Sequence, residues 1–194
     1  AGVRVAEAEL QQFGSGHRTF MTRRFDRVRG SKGTKRVHFA SAMTLLGHTD
    51  GDNHHAGASY LEIVEFLSRQ GAEPLSDLVE LWRRIVFSIA VRNTDDHLRN
   101  HGFLLTDAGW ILSPAYDLNS DPTGTGLSLN ISETDNVLSF DLAMEVASYF
   151  RLKQPVAKAI LREVKDAVVT WKKQASDLGI ARAEQEIMAL AFEA

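Results

Sequence analysis

The sequence contains no cysteine, which excludes disulfide frameworks, thiolate zinc sites and cysteine nucleophiles and suits a reducing compartment. Proline is scarce at 4 residues and the 14 glycines show no period, so collagenous and low-complexity classes are excluded. Long hydrophobic runs are also missing. The longest near-apolar stretch, Ile85 to Val91, is far short of the ~20 residues of a membrane helix. Ala1 to Phe13 carries no apolar segment of the signal-peptide kind, so the expected location is the cytoplasm, with no membrane partner. Nor is there an excess of positive charge. The 22 Lys and Arg against 25 Asp and Glu give a net charge of −3, without the overall basic footprint of a protein held by nucleic-acid phosphates. The first residue is Ala1 rather than methionine, so the sequence reads as part of a longer or processed chain.

What is present is a foldable chain. Over 194 residues, 44% are hydrophobic and 24% charged, enough for one large domain with a buried core. Val5 to Phe13 and Arg18 to Phe25 alternate apolar and polar residues around Gly14-Ser15-Gly16, predicting a β-hairpin. A polar, basic stretch follows from Asp26 to Arg36 and reads as the boundary between this β piece and a helical body. Ser59-Tyr60-Leu61-Glu62 has the form of a capping box, predicting a helix over 59–70. After Pro74, apolar residues on more than one face predict a central buried helix ending near Arg92. Residues 102–113 read as two short strands around a Thr106–Gly109 turn, and 117–136 as a long loop. Helices are expected over 141–150, 155–175 and 182–192. Trp82 and Trp171 are expected in the core.

The densest polar run, Asn93-Thr94-Asp95-Asp96-His97-Leu98-Arg99-Asn100-His101, begins where the central apolar helix ends. A loop held by a rigid buried helix keeps its side chains both fixed and accessible. Asp95 and Asn100 have the spacing D-x-x-x-x-N, and Asp117 follows 17 residues later, beyond the two short strands. Phosphoryl transfer from ATP uses such a set: one carboxylate orients the acceptor hydroxyl and takes its proton, while an amide oxygen and a second carboxylate hold Mg²⁺.

These motifs resemble those of the HipA-like serine/threonine kinases, the toxins of bacterial toxin–antitoxin pairs. Arg24-Phe25-Asp26-Arg27 is similar to the family's R-F-D-R at the end of the interlobe strand, Thr94 to Asn100 to its T-D-x-H-x-K-N catalytic loop, and Pro114-Ala115-Tyr116-Asp117 to its P-x-Y-D metal motif. Arg36-Val37-His38 is similar to the family's R-x-H, although Phe39-Ala40-Ser41 stands where Gln-Glu-Asp is common. The resemblance implies an α+β, protein-kinase-like fold: a mainly helical large lobe with an N-terminal β-hairpin remnant of the small lobe. Residues 1–27 would be hairpin and hinge, and 28–194 the helical lobe. It further implies ATP and Mg²⁺ as cofactors, with Asp95 as catalytic base, Asn100 and Asp117 as metal ligands, and the backbone around Arg24 and Phe25 as the adenine hinge. His97 would brace the loop, and Arg99, in the family's Lys position, would lie near the phosphates. The implied partners are a protein substrate and a DNA-binding antitoxin, with DNA reached only indirectly.

Such kinases also carry a glycine-rich loop, a strand lysine and a pairing glutamate ahead of the first hairpin, and these residues hold no such set. Gly14-Ser15-Gly16 has neither a third glycine nor a following helix and reads as a hairpin turn. The chain therefore reads as a truncated kinase, incompetent alone; the alternative is a non-catalytic antitoxin- or regulator-binding remnant. His54-His55 with Asp50 or Asp52, and His97 and His101 with Asp95, are weaker metal candidates, because adjacent residues rarely reach one ion and no H-E-x-x-H pattern is present. The basic run from Arg23 to Arg36 reads as a solvated linker or as a docking surface for an acidic partner or nucleic acid. Asp96, beside the chosen base, is expected to face outward or cap a turn, so that Asp96→Gly would be tolerated.

Overall fold

The computed structural model describes residues 1–14, 16–30 and 33–192. Ser15 of the first turn and Lys32 of the basic run thus lie outside the described residues. The N-terminal alternation forms β1 (Ala8–Gln11) and β2 (Thr19–Thr22), antiparallel, with Ala8 opposite Thr22 and Gln11 opposite Thr19. The paired part is shorter than the sequence pattern suggests. Val5 instead forms a parallel bridge to Ala115, and the Ala115 amide donates to the Arg4 carbonyl at 2.7 Å.

The basic stretch is not a linker. It folds into a second hairpin, β3 (Arg27–Gly30) with β4 (Gly33–Arg36), closed at its base by the Val37 amide on the Asp26 carbonyl at 3.0 Å. The division expected between residues 27 and 28 falls inside β3. A third sheet follows, in the order β5 (Phe39–Ser41), β6 (Gly102–Thr106), β7 (Gly109–Leu112), all antiparallel. Gly102 is required there, because a Cβ would run into the Phe39 ring lying over it.

The helical body is built on α3 (Pro74–Ala90), which opens with proline in its first turn and is apolar around most of its circumference. Leu78, Leu81, Trp82, Ile85, Val86 and Ile89 are fully buried. Short α1 (Ala42–Leu46) is capped by Ser41, and α2 (Tyr60–Gln70) by the predicted Ser59–Glu62 capping box. Beyond the long 117–139 segment come α4 (Phe140–Val146), capped by Ser139, and α5 (Gln154–Val168). α3 packs against α2, α4, α5 and β7. The indole of Trp82 donates to the Ala143 carbonyl at 2.9 Å, joining α3 to α4.

The single helix expected over 155–175 is broken into α5 and α6 (Trp171–Asp177). Val168, Val169 and Thr170 put three β-branched residues in a row, and the Thr170 hydroxyl donates back to the Ala167 carbonyl at 2.8 Å, competing with the helical ladder. α7 (Arg182–Met188) and a 3₁₀ turn (Ala189–Phe192) complete the described chain. Trp171 is half-buried, stacked on Phe192 at 4.4 Å, rather than central like Trp82.

A buried polar network straps the N-terminal segment to α3. Arg84 is 2% exposed; its Nε meets Glu80 at 2.8 Å and its Nη2 donates to the Ser113 carbonyl at 2.7 Å. Glu80 also accepts from the Arg4 amide at 3.0 Å, and Asp77 accepts from Arg4 Nη2 and the Leu112 amide, both at 2.8 Å. Burial pushes the Asp77 carboxyl up and the Arg84 guanidinium down from their ordinary values.

Candidate active site

α3 ends at Ala90, and Arg92 takes a left-handed φ of 49°, which turns the chain into the 93–101 loop. Asn93, fully buried, anchors that turn: its amide donates to Ser88 Oγ at 3.2 Å and its Oδ1 accepts from the Asn119 backbone at 3.2 Å. Asp95 emerges exposed, and among the described residues its carboxylate has no hydrogen-bond or ion-pair partner; its carbonyl accepts from the His97 amide at 3.0 Å. It lines a polar cleft of about 170 Å³ with Asp50, Asp52, His97, Arg99 and Ser128.

Asn100 turns inward from the same loop. Its Oδ1 accepts from the His97 amide at 3.1 Å and its Nδ2 donates to Asp117 Oδ2 at 2.7 Å. The structure thus brings together two side chains 17 positions apart. Asp117 is exposed and has a left-handed φ of 57°, a conformation that non-glycine residues seldom adopt outside functional or tightly held turns. Asn119 holds its other oxygen at 2.7 Å. The Asn100 group facing Asp117 is thus the amide nitrogen, with the amide oxygen on the His97 backbone; for the two to serve Mg²⁺ as hard-oxygen donors, the Asn100 amide would turn its oxygen toward the Asp117 carboxylate.

Arg99 pairs with Asp50 across the cleft. Its Nη2 lies 3.3 Å from His97 Nε2, which sets the guanidinium against the ring. His97 Nδ1 is buried without a partner among the described residues, an unused polar atom of the kind that collects at functional sites. Arg24 and Phe25 do not join the Asp95 cleft. They line a separate recess of about 190 Å³ with Phe39 and Tyr116. Phe25 stacks on Tyr116 at 5.9 Å and tilts against Phe39 at 5.8 Å, while Arg24 is bound to Asp26 at 2.7 Å. Tyr116 links the two sites: its hydroxyl donates to the Arg99 carbonyl at 2.6 Å, and the next residue is Asp117. Burial pushes the Tyr116 hydroxyl up to about 12, so it stays a donor at neutral pH.

Asp96 overturns the outward orientation expected from its sequence. It is 2% exposed, with Tyr60 Oη at 2.6 Å, Ser88 Oγ at 3.3 Å and His101 Nε2 at 3.1 Å. The His101 contact is one of proximity rather than an aligned hydrogen bond, since neither ring nitrogen has an aligned partner. Burial raises the Asp96 carboxyl, but the neighbouring His101 and the hydrogen bonds from Tyr60 and Ser88 outweigh it and hold the carboxyl below its ordinary value. His101 is therefore engaged with Asp96. Among the described residues no group of three His, Cys, Asp or Glu side chains is placed to hold a metal. His54 and His55 instead form a 3₁₀ turn with their rings 3.9 Å apart.

Sequence reasoning missed Tyr60, Ser88, Asn93, Asn119 and Tyr116 as supports of the site. Asn93, a polar residue directly after an apolar helix, and Tyr116, within the Pro114-Ala115-Tyr116-Asp117 motif, left local signals. A larger cavity, about 750 Å³, lies elsewhere, between Phe87, Val91, Trp171, Leu178, Met188 and Phe192. None of the candidate side chains lines it, and its walls are mainly apolar; Asp95, His97 and Arg99 line the smaller polar cleft, whereas Asn100 and Asp117 do not.

Residues 1–172 match the HipA-like C-terminal domain. The chain belongs to this family. Two curated proteins named "Putative kinase" are similar to this HipA-like domain. One, Y4mE of Sinorhizobium fredii, is 30% identical over 122 residues, 61% of this chain and 29% of that protein. The other, from Haemophilus influenzae, is 30% identical over 105 residues, 52% of this chain and 30% of that protein. The chain thus spans under a third of the length of these relatives. Among solved structures, HipA of Shewanella oneidensis, determined with HipB and its operator DNA, superposes with a TM-score of 0.76 at 18% identity, covering 98% of this chain and 50% of that one. The proinflammatory kinase CtkA of Helicobacter pylori gives 0.51 at 12% identity, covering 95% and 82%. The fold is therefore the kinase-like α+β arrangement of HipA. Among the described residues no helix is long and apolar enough to cross a membrane.

Proposed function

We propose that this HipA-like domain is the catalytic lobe of a serine/threonine protein kinase that moves the γ-phosphate of ATP to a protein hydroxyl, as the toxin of a toxin–antitoxin pair. The observation that carries this reading is the 2.7 Å contact of Asn100 Nδ2 with Asp117, which sets these two side chains together, with an exposed Asp95 on the same loop that has no side-chain partner among the described residues. Asp95 is free to accept the proton of an incoming hydroxyl, and its charge orients that hydroxyl. Asn100 and Asp117 hold Mg²⁺, which when bound offsets the phosphate charge. Arg99 adds a guanidinium at the cleft mouth, and His97 fixes the backbone between base and ligand through its amide. The Phe25, Phe39 and Tyr116 rings offer a flat apolar recess for adenine beside the Arg24–Phe25 backbone. The reading implies a DNA-binding antitoxin as partner, with DNA reached through it.

The direct test is transfer of labelled phosphate from Mg²⁺·ATP to serine or threonine by the full kinase that contains this lobe. Loss of transfer in Asp95→Asn with the fold intact supports the assignment. Full activity in that variant contradicts it. An inactive wild type that still captures its antitoxin would make the domain a binding module.

A further inference from the structure

Phosphoryl transfer leaves the basic run unused. Residues 23–36 hold seven Lys and Arg against one Asp, while the whole chain is at −3, so all other residues together stand at −9. Positive charge is thus gathered into one short segment of an otherwise acidic protein. The hairpin arranges it. β3 and β4 pair Arg27 with Arg36 and Arg29 with Thr34. Directly paired residues share a face and neighbours along a strand alternate, which places Arg27, Arg29, Thr34 and Arg36 on one side. Like charges opposite each other are unfavourable. Asp26 relieves only part of this, taking Arg24 at 2.7 Å and also Arg27. Arg29, Lys35 and Arg36 are exposed and have no ion-pair partner among the described residues.

We propose that the arginine face of the β3–β4 hairpin is a docking surface for the backbone of nucleic acid, bound directly through Arg29 and Arg36 and read for charge rather than sequence, with Lys35 beside Val28 on the other face. Guanidinium forks match phosphate oxygens two at a time. A protein partner would ordinarily meet an apolar centre on such a surface. The arginine face has none, in keeping with the polar, positive character of nucleic-acid interfaces. The base of the hairpin is fixed by the Val37–Asp26 backbone bond of 3.0 Å and by Phe25 against Tyr116, so the charges project from a braced ribbon. None of this depends on phosphoryl transfer, and it stands if that reading fails.

The test is fluorescence anisotropy of a labelled duplex oligonucleotide of arbitrary sequence, titrated with this chain in the absence of ATP. Wild type is expected to bind with a dissociation constant of about 10⁻⁴ to 10⁻⁶ M and a log–log salt slope of about −2. Combined Arg29→Ala and Arg36→Ala is expected to weaken binding at least about tenfold and flatten the slope by about that amount. Combined Lys172→Ala and Lys173→Ala, which removes charge elsewhere, is expected to change binding less than about twofold. If this double variant loses its thermal transition, Arg29→Gln alone decides, with a loss of about threefold expected. No binding, retained binding in the hairpin variant, or an equal loss in the Lys172/Lys173 control would overturn the proposal. So would a polyglutamate peptide that competes as well as the duplex, which would assign the face to acidic protein.

Discussion

The Tyr60 hydroxyl donates a 2.6 Å hydrogen bond to the Asp96 carboxylate, tying the first residue of α2 to the loop that presents Asp95. Both groups are buried, and Ser88 and His101 close the remaining sides. Removing the anion leaves three polar groups without their acceptor. Asp96→Ala is therefore expected to cost about 3 kcal/mol, and Tyr60→Phe about 1.5 kcal/mol. Thermal unfolding checks both. A loss under about 0.5 kcal/mol for Asp96→Ala would show that the network is not structural.

The same pair sets a pH window. The folded-state Asp96 carboxyl lies below its ordinary 3.8, so its stabilisation is complete above the unfolded value and is lost as pH falls below 3.8 towards the folded one. Burial, then the charge and hydrogen bond of Asp96, push the Tyr60 hydroxyl well above 10.0. That contribution is complete below 10.0 and is lost as pH rises through the folded value. Stability measured against pH should fall at both ends, and Tyr60→Phe should remove the Tyr60 part of the alkaline fall.

Glu80 and Arg84 form a buried pair at 2.8 Å within α3. Glu80→Ala strands a buried guanidinium and is expected to cost about 3–5 kcal/mol. Replacing both, Glu80→Leu with Arg84→Met, is expected to recover most of that loss, because two apolar side chains leave no uncompensated charge. Chemical denaturation of the two variants checks the difference. Equal losses would contradict it.

Gly124 lies against Thr94, the residue before Asp95, and a Cβ at 124 would overlap the Thr94 side chain. Gly124→Ala should displace the 118–128 segment and cost about 1–3 kcal/mol. In combination with Thr94→Gly the clash disappears, so the two changes should be strongly non-additive in a double-mutant cycle. Additive losses would show that the close approach is not what requires glycine.

The parts legible in the sequence are those governed by local rules. The Ser59–Glu62 capping box, Pro74 ahead of an apolar run, and two apolar strands around Thr106–Gly109 each formed as expected. The polar run after α3 could be located, and Asn100 and Asp117 did meet. Asp96 could not be oriented, because a turn has no periodicity and its partners lie on α2 and α3, 36 and 8 residues away. The second hairpin was hidden by its charge: with both faces exposed, Arg27 to Arg36 lacks the apolar alternation that marks a half-buried strand. The break between α5 and α6 needed the Thr170 back-bond to be seen.

The central claim is that Asp95 takes a proton while Asn100 and Asp117 hold the metal. It is tested most directly by phosphoryl transfer against Mg²⁺ concentration in the full kinase bearing this lobe, for Asp95→Asn and Asp117→Asn. Asparagine tolerates the left-handed backbone at 117, so the second change weakens a ligand without disturbing the turn. Asp117→Asn should regain part of its activity as Mg²⁺ rises, and Asp95→Asn should stay inactive at every concentration while keeping its nucleotide affinity. Rescue of Asp95→Asn by Mg²⁺, with none for Asp117→Asn, would contradict the assignment.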